Sequence, residues 1–162
     1  GGLFDVLRDR LAERELAQMR SSLASPVSPH GRTGWPAVDS EIEEMRRHFA
    51  VERTPQDHRA VGLGCVAITE AISATVYRHD MHGHSGEAEP PVAKTKQRIE
   101  AFVASAAPGP KNAALRKLVR AVIEFAQEVK HSNTPTRRDA GVAADAVILV
   151  ANVLRRLSDT GG

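Results

Sequence analysis

KNAALRKLVRAVIEFAQEVKHSNTPTRRDAGVAADAVILVANVLRRL, residues 111–157, is the stretch whose reading decides the fold. Leu115, Leu118, Val119, Val122, Ile123, Ala126 and Val129 recur every three or four residues, which predicts an amphipathic helix over 111–131. A second stripe, Ala143, Ala144, Val147, Ile148, Ala151, Leu154 and Leu157, predicts another over 136–158, with Thr136 and Asp139 three apart as first-turn partners. The polar tract Lys130-His131-Ser132-Asn133-Thr134-Pro135-Thr136-Arg137-Arg138-Asp139 joins them. It is the one dense cluster of polar groups fixed between two strong helices.

The same punctuation runs back through the chain. Pro108-Gly109-Pro110 breaks a helix expected over 91–106, where Val92, Thr95, Ile99, Phe102, Val103 and Ala106 share helical spacing. Thr54-Pro55 has the form of an N-cap with proline at the first helical position, opening a helix over 55–79 striped by Val61, Cys65, Ile68, Ile72 and Val76. Gly62 and Gly64 inside that helix sacrifice roughly 1 kcal/mol each against alanine, which points to a neighbour in close approach. His79 to Pro91, with Gly83, Ser85 and Gly86, reads as a mobile, solvated loop. Further back, Ser40 and Glu43 have capping-box spacing for a short helix ending near Glu52, with Ile42, Met45 and Phe49 on one face. A Pro- and Gly-rich linker over 25–34 separates it from an amphipathic helix over 3–24 that carries Leu3, Val6, Leu7, Leu11 and Met19. With no strand-period segment and no repeat, the prediction is an all-α chain. An antiparallel four-helix bundle occupies 53–162, and 1–52 form a two-helix N-terminal extension with its linker.

Composition narrows the class. At 162 residues, 41% hydrophobic and 26% charged, the chain is a globular domain and not a disordered one. Aromatics are 4%, so the core must be built of Ala, Val, Leu and Ile. Cys65 stands alone, which excludes an internal disulfide, suits a reducing, cytoplasmic setting, and reads as a buried thiol. No apolar run approaches the roughly 18 residues of a spanning segment. Beyond Pro108, nine Lys/Arg stand against five Asp/Glu, so the last third of the chain is basic and suits a phosphate-bearing partner.

The segment 120–157, a helix ending Val129-Lys130-His131, a Ser-Asn-Thr-Pro tract, and an Ala-rich final helix ending Val153-Leu154-Arg155-Arg156-Leu157, resembles the C-terminal half of HEPN-type domains. The helix carrying Ala67-Ile68-Thr69-Glu70-Ala71-Ile72 resembles the first long helix of that bundle. Such domains are helical modules of bacterial abortive-infection and toxin ribonucleases. The resemblance implies RNA or nucleotide binding, a homodimer, and metal-independent RNA cleavage with no cofactor. The family's Arg, separated from the His by four to six intervening residues, is missing: Glu124, Phe125 and Ala126 stand there, and Arg120 is about 16 Å back along the helix. A catalytic site would then draw on His131, Lys130 and Arg137, with Arg120, Asn133, Arg137 and Arg138 binding the RNA or nucleotide.

Plainer readings stand beside this one. His131, Asn133 and Thr134 are also residues that cap a helix end and make a turn. His79, His82 and His84 lie within six residues of one another, but glycines around them favour a solvated loop over a metal centre, so no metal is assigned. The chain as a whole also reads as a non-enzymatic interaction or dimerisation module with a protein partner.

Overall fold

The structure, a computed structural model, describes residues 2–23 and 32–159. The linker residues 24–31, Gly1 and the last three residues lie outside the described residues, as does the side chain of Met19. Among the described residues there are seven α-helices and no strand. The chain divides into two compact units at Gly31–Arg32.

The first unit contains α1 (Gly2–Leu23), whose Leu3, Phe4, Val6, Leu7, Leu11 and Leu16 are all exposed. The second unit holds α2 (Pro36–Val51), α3 (Pro55–Val76), α4 (His79–His82), α5 (Thr95–Ala106), a single 3-10 turn at Pro110–Asn112, α6 (Ala113–His131) and α7 (Arg137–Asp159). The division falls well before the boundary expected at residue 52. The reason is that Val38, Ile42 and Met45 of α2 are buried, and α2 packs on α3 and α7.

The start of α2 also differs from expectation. Ser40 does not cap it; the helix begins at Pro36 behind Trp35. Asp39 supplies the closure, its carboxylate accepting from the Thr33 N–H at 2.8 Å, the Thr33 hydroxyl at 2.7 Å and the Gly34 N–H at 3.1 Å. A proline that needs no N–H and an aspartate in the first turn satisfy a helix start better than a serine one turn later.

α3 is the hub, packed against α2, α5, α6 and α7. Val61, Cys65, Ile68, Ile72 and Val76 are buried as the stripe requires, and burying each such aliphatic side chain is worth about 1.5–3 kcal/mol. The two glycines mark close approaches. A Cβ on Gly62 would lie 2.9 Å from the Lys130 backbone nitrogen, and one on Gly64 would lie 3.2 Å from Met45 Cβ. Contrary to the sequence reading, this helix is long and apolar enough to cross a membrane by length and composition, with mean hydropathy 1.3 over its best window. Half of that window is buried within the fold, where the helix packs against four others.

Thr54 caps α3 as expected. Its hydroxyl accepts from the Asp57 N–H at 3.2 Å, and the Asp57 carboxylate accepts from the Thr54 N–H at 3.0 Å. α3 ends at Val76, and α5 starts at Thr95, after a turn at Pro91–Lys94 instead of at the proline itself. α5 and α6 run antiparallel, pairing Lys96 with Glu124 at 2.8 Å and Arg120 with Glu100. α6 buries Val119, Val122, Ile123, Ala126 and Val129, and α7 buries Ala140, Ala143, Ala144, Val147, Ile148, Val150, Ala151 and Leu154. Such small side chains let neighbouring backbones approach closely.

Candidate functional site

At one end of the second unit, the N-terminal part of α3 meets the last turn of α6 and the tract that leads into α7. Arg59 makes the join: its Nε donates to the Ser132 carbonyl and its NH2 to the Asn133 carbonyl, both at 3.2 Å. The carbonyls just after α6 are therefore capped by an arginine from another helix and not by His131, which is exposed. Lys130 is half-buried, its backbone against Gly62.

α7 opens with a reciprocal cap. The Thr136 N–H donates to the Asp139 carboxylate and the Asp139 N–H to the Thr136 hydroxyl, each at 3.1 Å. The Thr136 backbone N–H, helped by its hydroxyl, holds the Asp139 carboxyl below the usual aspartate range. At α3, the Arg53 backbone N–H, at 2.8 Å, does the same for Asp57, followed by that of Thr54. Each cap also places a negative charge at a helix N-terminus, where the macrodipole favours it.

Beneath the surface of this junction lies Glu52, the residue that follows α2, with its side chain 0% exposed. Its Oε2 is 2.8 Å from His58 Nδ1, and its Oε1 is 3.6 Å from Arg137 Nε without a hydrogen-bond partner. Arg137 also stacks over the Phe49 ring, 5.3 Å from the centroid. The structure thus gathers Arg53, His58, Arg59, Lys130, His131, Arg137 and Arg138 around one junction, where the sequence had indicated only the last four. Nothing in the periodicity marks Glu52 or His58, because Glu52 lies in the break after α2 and His58 in the first turn of α3.

Other candidates lie elsewhere. Arg120 pairs with Glu100 on α5, and Arg116 donates to the Ala107 and Gly109 carbonyls at 2.8 Å, closing the α5–α6 turn. The Asn133 carbonyl is taken by Arg59, and its side chain is exposed.

A second polar centre surrounds Arg98, which the sequence reading passed over. It falls on the apolar face of α5 between Thr95 and Phe102, and its side chain is 5% exposed. Nε donates to Ser73 Oγ at 2.8 Å and NH1 to the Pro90 carbonyl at 2.6 Å, while Ser73 Oγ donates to the Val92 carbonyl at 3.0 Å. The guanidinium also lies 4.4 Å from the Tyr77 ring centroid.

These contacts overturn the expected mobile histidine loop. His79 takes part in α4, bonded through Nδ1 to the Tyr77 hydroxyl and through Nε2 to the Glu87 carbonyl, both at 2.8 Å. His82 Nδ1 accepts from the Arg78 N–H at 2.9 Å, its ring sits edge-on to Phe102, and partial burial pushes its pKa down. The carbonyls of Glu87, Pro90 and Val92, which a solvated loop would leave to water, are bonded by the side chains of His79, Arg98 and Ser73. Among the described residues no group of three His, Cys, Asp or Glu is placed to hold a metal. A cleft of about 880 Å³ runs beside this centre, lined by His79, His82, Lys94, Glu124 and Glu128 among others.

Cys65 is buried, and desolvation pushes its thiol up to about 12, so it is no nucleophile. Compared with protein families, curated proteins and solved structures, the chain matches none.

Proposed function

We propose that this chain is a HEPN-like RNA- or nucleotide-binding protein that holds its polyanion at the basic junction of α3, α6 and α7. The observation that carries this reading is Arg59 bridging to Ser132 and Asn133, which adds the cations of the α3 start to those of the α6–α7 tract. In this reading α3, α5, α6 and α7 form the antiparallel four-helix core. His131 with Lys130 and Arg137 is the candidate catalytic set for metal-independent cleavage in a cytoplasmic defence or toxin system.

Binding of fluorescently labelled single-stranded RNA at rising salt tests it. On a single strand each phosphate neutralised contributes about −0.7 to the slope of log K against log salt. Arg137→Gln with Arg138→Gln is expected to flatten that slope by up to about 1.4. Arg155→Gln with Arg156→Gln, at the far end of α7, is expected to leave it unchanged. Equal effects from both pairs would refute a localised site.

A second reading, a homodimer or a module for a protein partner, is favoured by one observation: α1 exposes Leu3, Phe4, Val6, Leu7, Leu11 and Leu16 together. Removing residues 1–31 is expected to lower the mass measured by light scattering to that of a monomer if α1 mediates self-association.

A further inference from the structure

The junction contains one titratable pair that RNA binding alone does not use. Glu52 is enclosed, and as a carboxylate it only accepts, which assigns the proton of the 2.8 Å contact to His58 Nδ1. In the neutral ring the lone pair is then on Nε2. That nitrogen has no hydrogen-bond partner among the described residues, and 12% of the His58 side chain reaches solvent. His58 precedes Arg59, which bonds the two carbonyls that follow His131, so each histidine is the chain neighbour of one side of that contact. A buried carboxylate that fixes one imidazole nitrogen and leaves the other free is the arrangement a general base needs. The free oxygen of Glu52 also faces Arg137, so the carboxylate lies between the His58 imidazole and a guanidinium.

We propose that His58, held by Glu52, is the general base of an RNA transesterification at this junction, an inference that rests on the RNA-binding reading above. His58 Nε2 takes the proton of a ribose 2′-hydroxyl, and the 2′-oxygen bonds to the adjacent phosphorus. The bond from phosphorus to the 5′-oxygen breaks, and that oxygen takes a proton from the His131 imidazolium. The products are a 2′,3′-cyclic phosphate and a 5′-hydroxyl. No water, metal or oxidant is consumed, and solvent returns both rings to their starting protonation. Glu52 is a positioning residue, keeping the tautomer and facing the imidazolium that forms. Lys130 and Arg138 supply positive charge for the phosphorane.

The test uses the whole chain, mixed-sequence single-stranded RNA and EDTA. His58→Gln keeps a donor for Glu52 but cannot shuttle a proton. It is expected to lower kcat by about 10²–10⁴-fold, with RNA affinity and thermal midpoint unchanged. Imidazole added to His58→Gly is expected to restore part of the rate, and Glu52→Gln to lower kcat at constant KM. Wild-type products are expected to end in 2′,3′-cyclic phosphate. Full activity in His58→Gln would overturn the proposal. Wild-type protein that binds RNA without cutting it would also overturn it while leaving the binding reading intact, and protein that neither binds nor cuts would remove both.

Discussion

Arg98 and Arg137 have the same neighbours on paper, an aromatic ring and a carboxylate 3.6 Å away, and opposite surroundings. At Arg98 the guanidinium is buried, 5% exposed, and its carboxylate, Glu89, is 58% exposed. At Arg137 the guanidinium is 62% exposed and its carboxylate, Glu52, is enclosed. The buried arginine spends its donors on neutral acceptors, Ser73 and the Pro90 carbonyl, and so ties α3, the 87–92 segment and α5 together. The buried glutamate keeps an oxygen without a hydrogen bond and orients a histidine. One centre is satisfied and structural, whereas the other retains free groups and faces solvent with its cations. Polar density alone does not distinguish them; which partner is buried does.

The largest effect separating the two is expected from Arg98→Met. It removes a buried charged donor and leaves the Pro90 carbonyl without its partner, which is expected to lower unfolding free energy by about 3–5 kcal/mol in urea titrations. A loss under about 1 kcal/mol would mean that water replaces the guanidinium and that the centre is not structural. Next comes Gly62→Ala, where the new methyl would meet the Lys130 backbone. Overpacking of about 1–3 kcal/mol, offset by up to roughly 1 kcal/mol of helix propensity, is expected to leave a net loss of about 1–2 kcal/mol. A neutral result would show that α6 can slide along α3. Smaller still is Glu52→Gln, expected to change stability by no more than about 1 kcal/mol, because removing a desolvated charge compensates for the weakened contact to His58. A loss as large as that of Arg98→Met would erase the distinction drawn here.

Acid separates the regions by order rather than size. His82 is pushed below its ordinary value of 6.5, so the unfolded chain binds that proton first, and stability falls as pH drops through the imidazole range. Asp57 and Asp139 are held below the ordinary aspartate value of 3.8, so their contribution is present above it and is lost only as pH falls further. Amide exchange followed as pH falls is expected to show the His82 region loosening before the caps of α3 and α7. The reverse order would contradict these shifts.

The helices were legible because proline, glycine and capping residues mark their ends and the apolar stripes mark their faces. Lys130, His131, Arg137 and Arg138 were legible as a cluster because they are neighbours in the chain. Glu52, His58 and Arg59 were not, since their meeting with α6 and α7 depends on how α3 packs. Arg98 left a signal that periodicity offered: a charged residue between Thr95 and Ile99 lies on a buried face and must find partners there. His79 and His82 were misjudged because the glycines beside them say how freely a backbone can turn, and not which side chains will hold it.

Hydrogen exchange of the whole protein with and without single-stranded RNA tests the central claim most directly. The account predicts slowed exchange at residues 53–59 and 130–139, with residues 78–98 around Arg98 and the cleft unchanged. Protection confined to 78–98, with the junction unaffected, would contradict it.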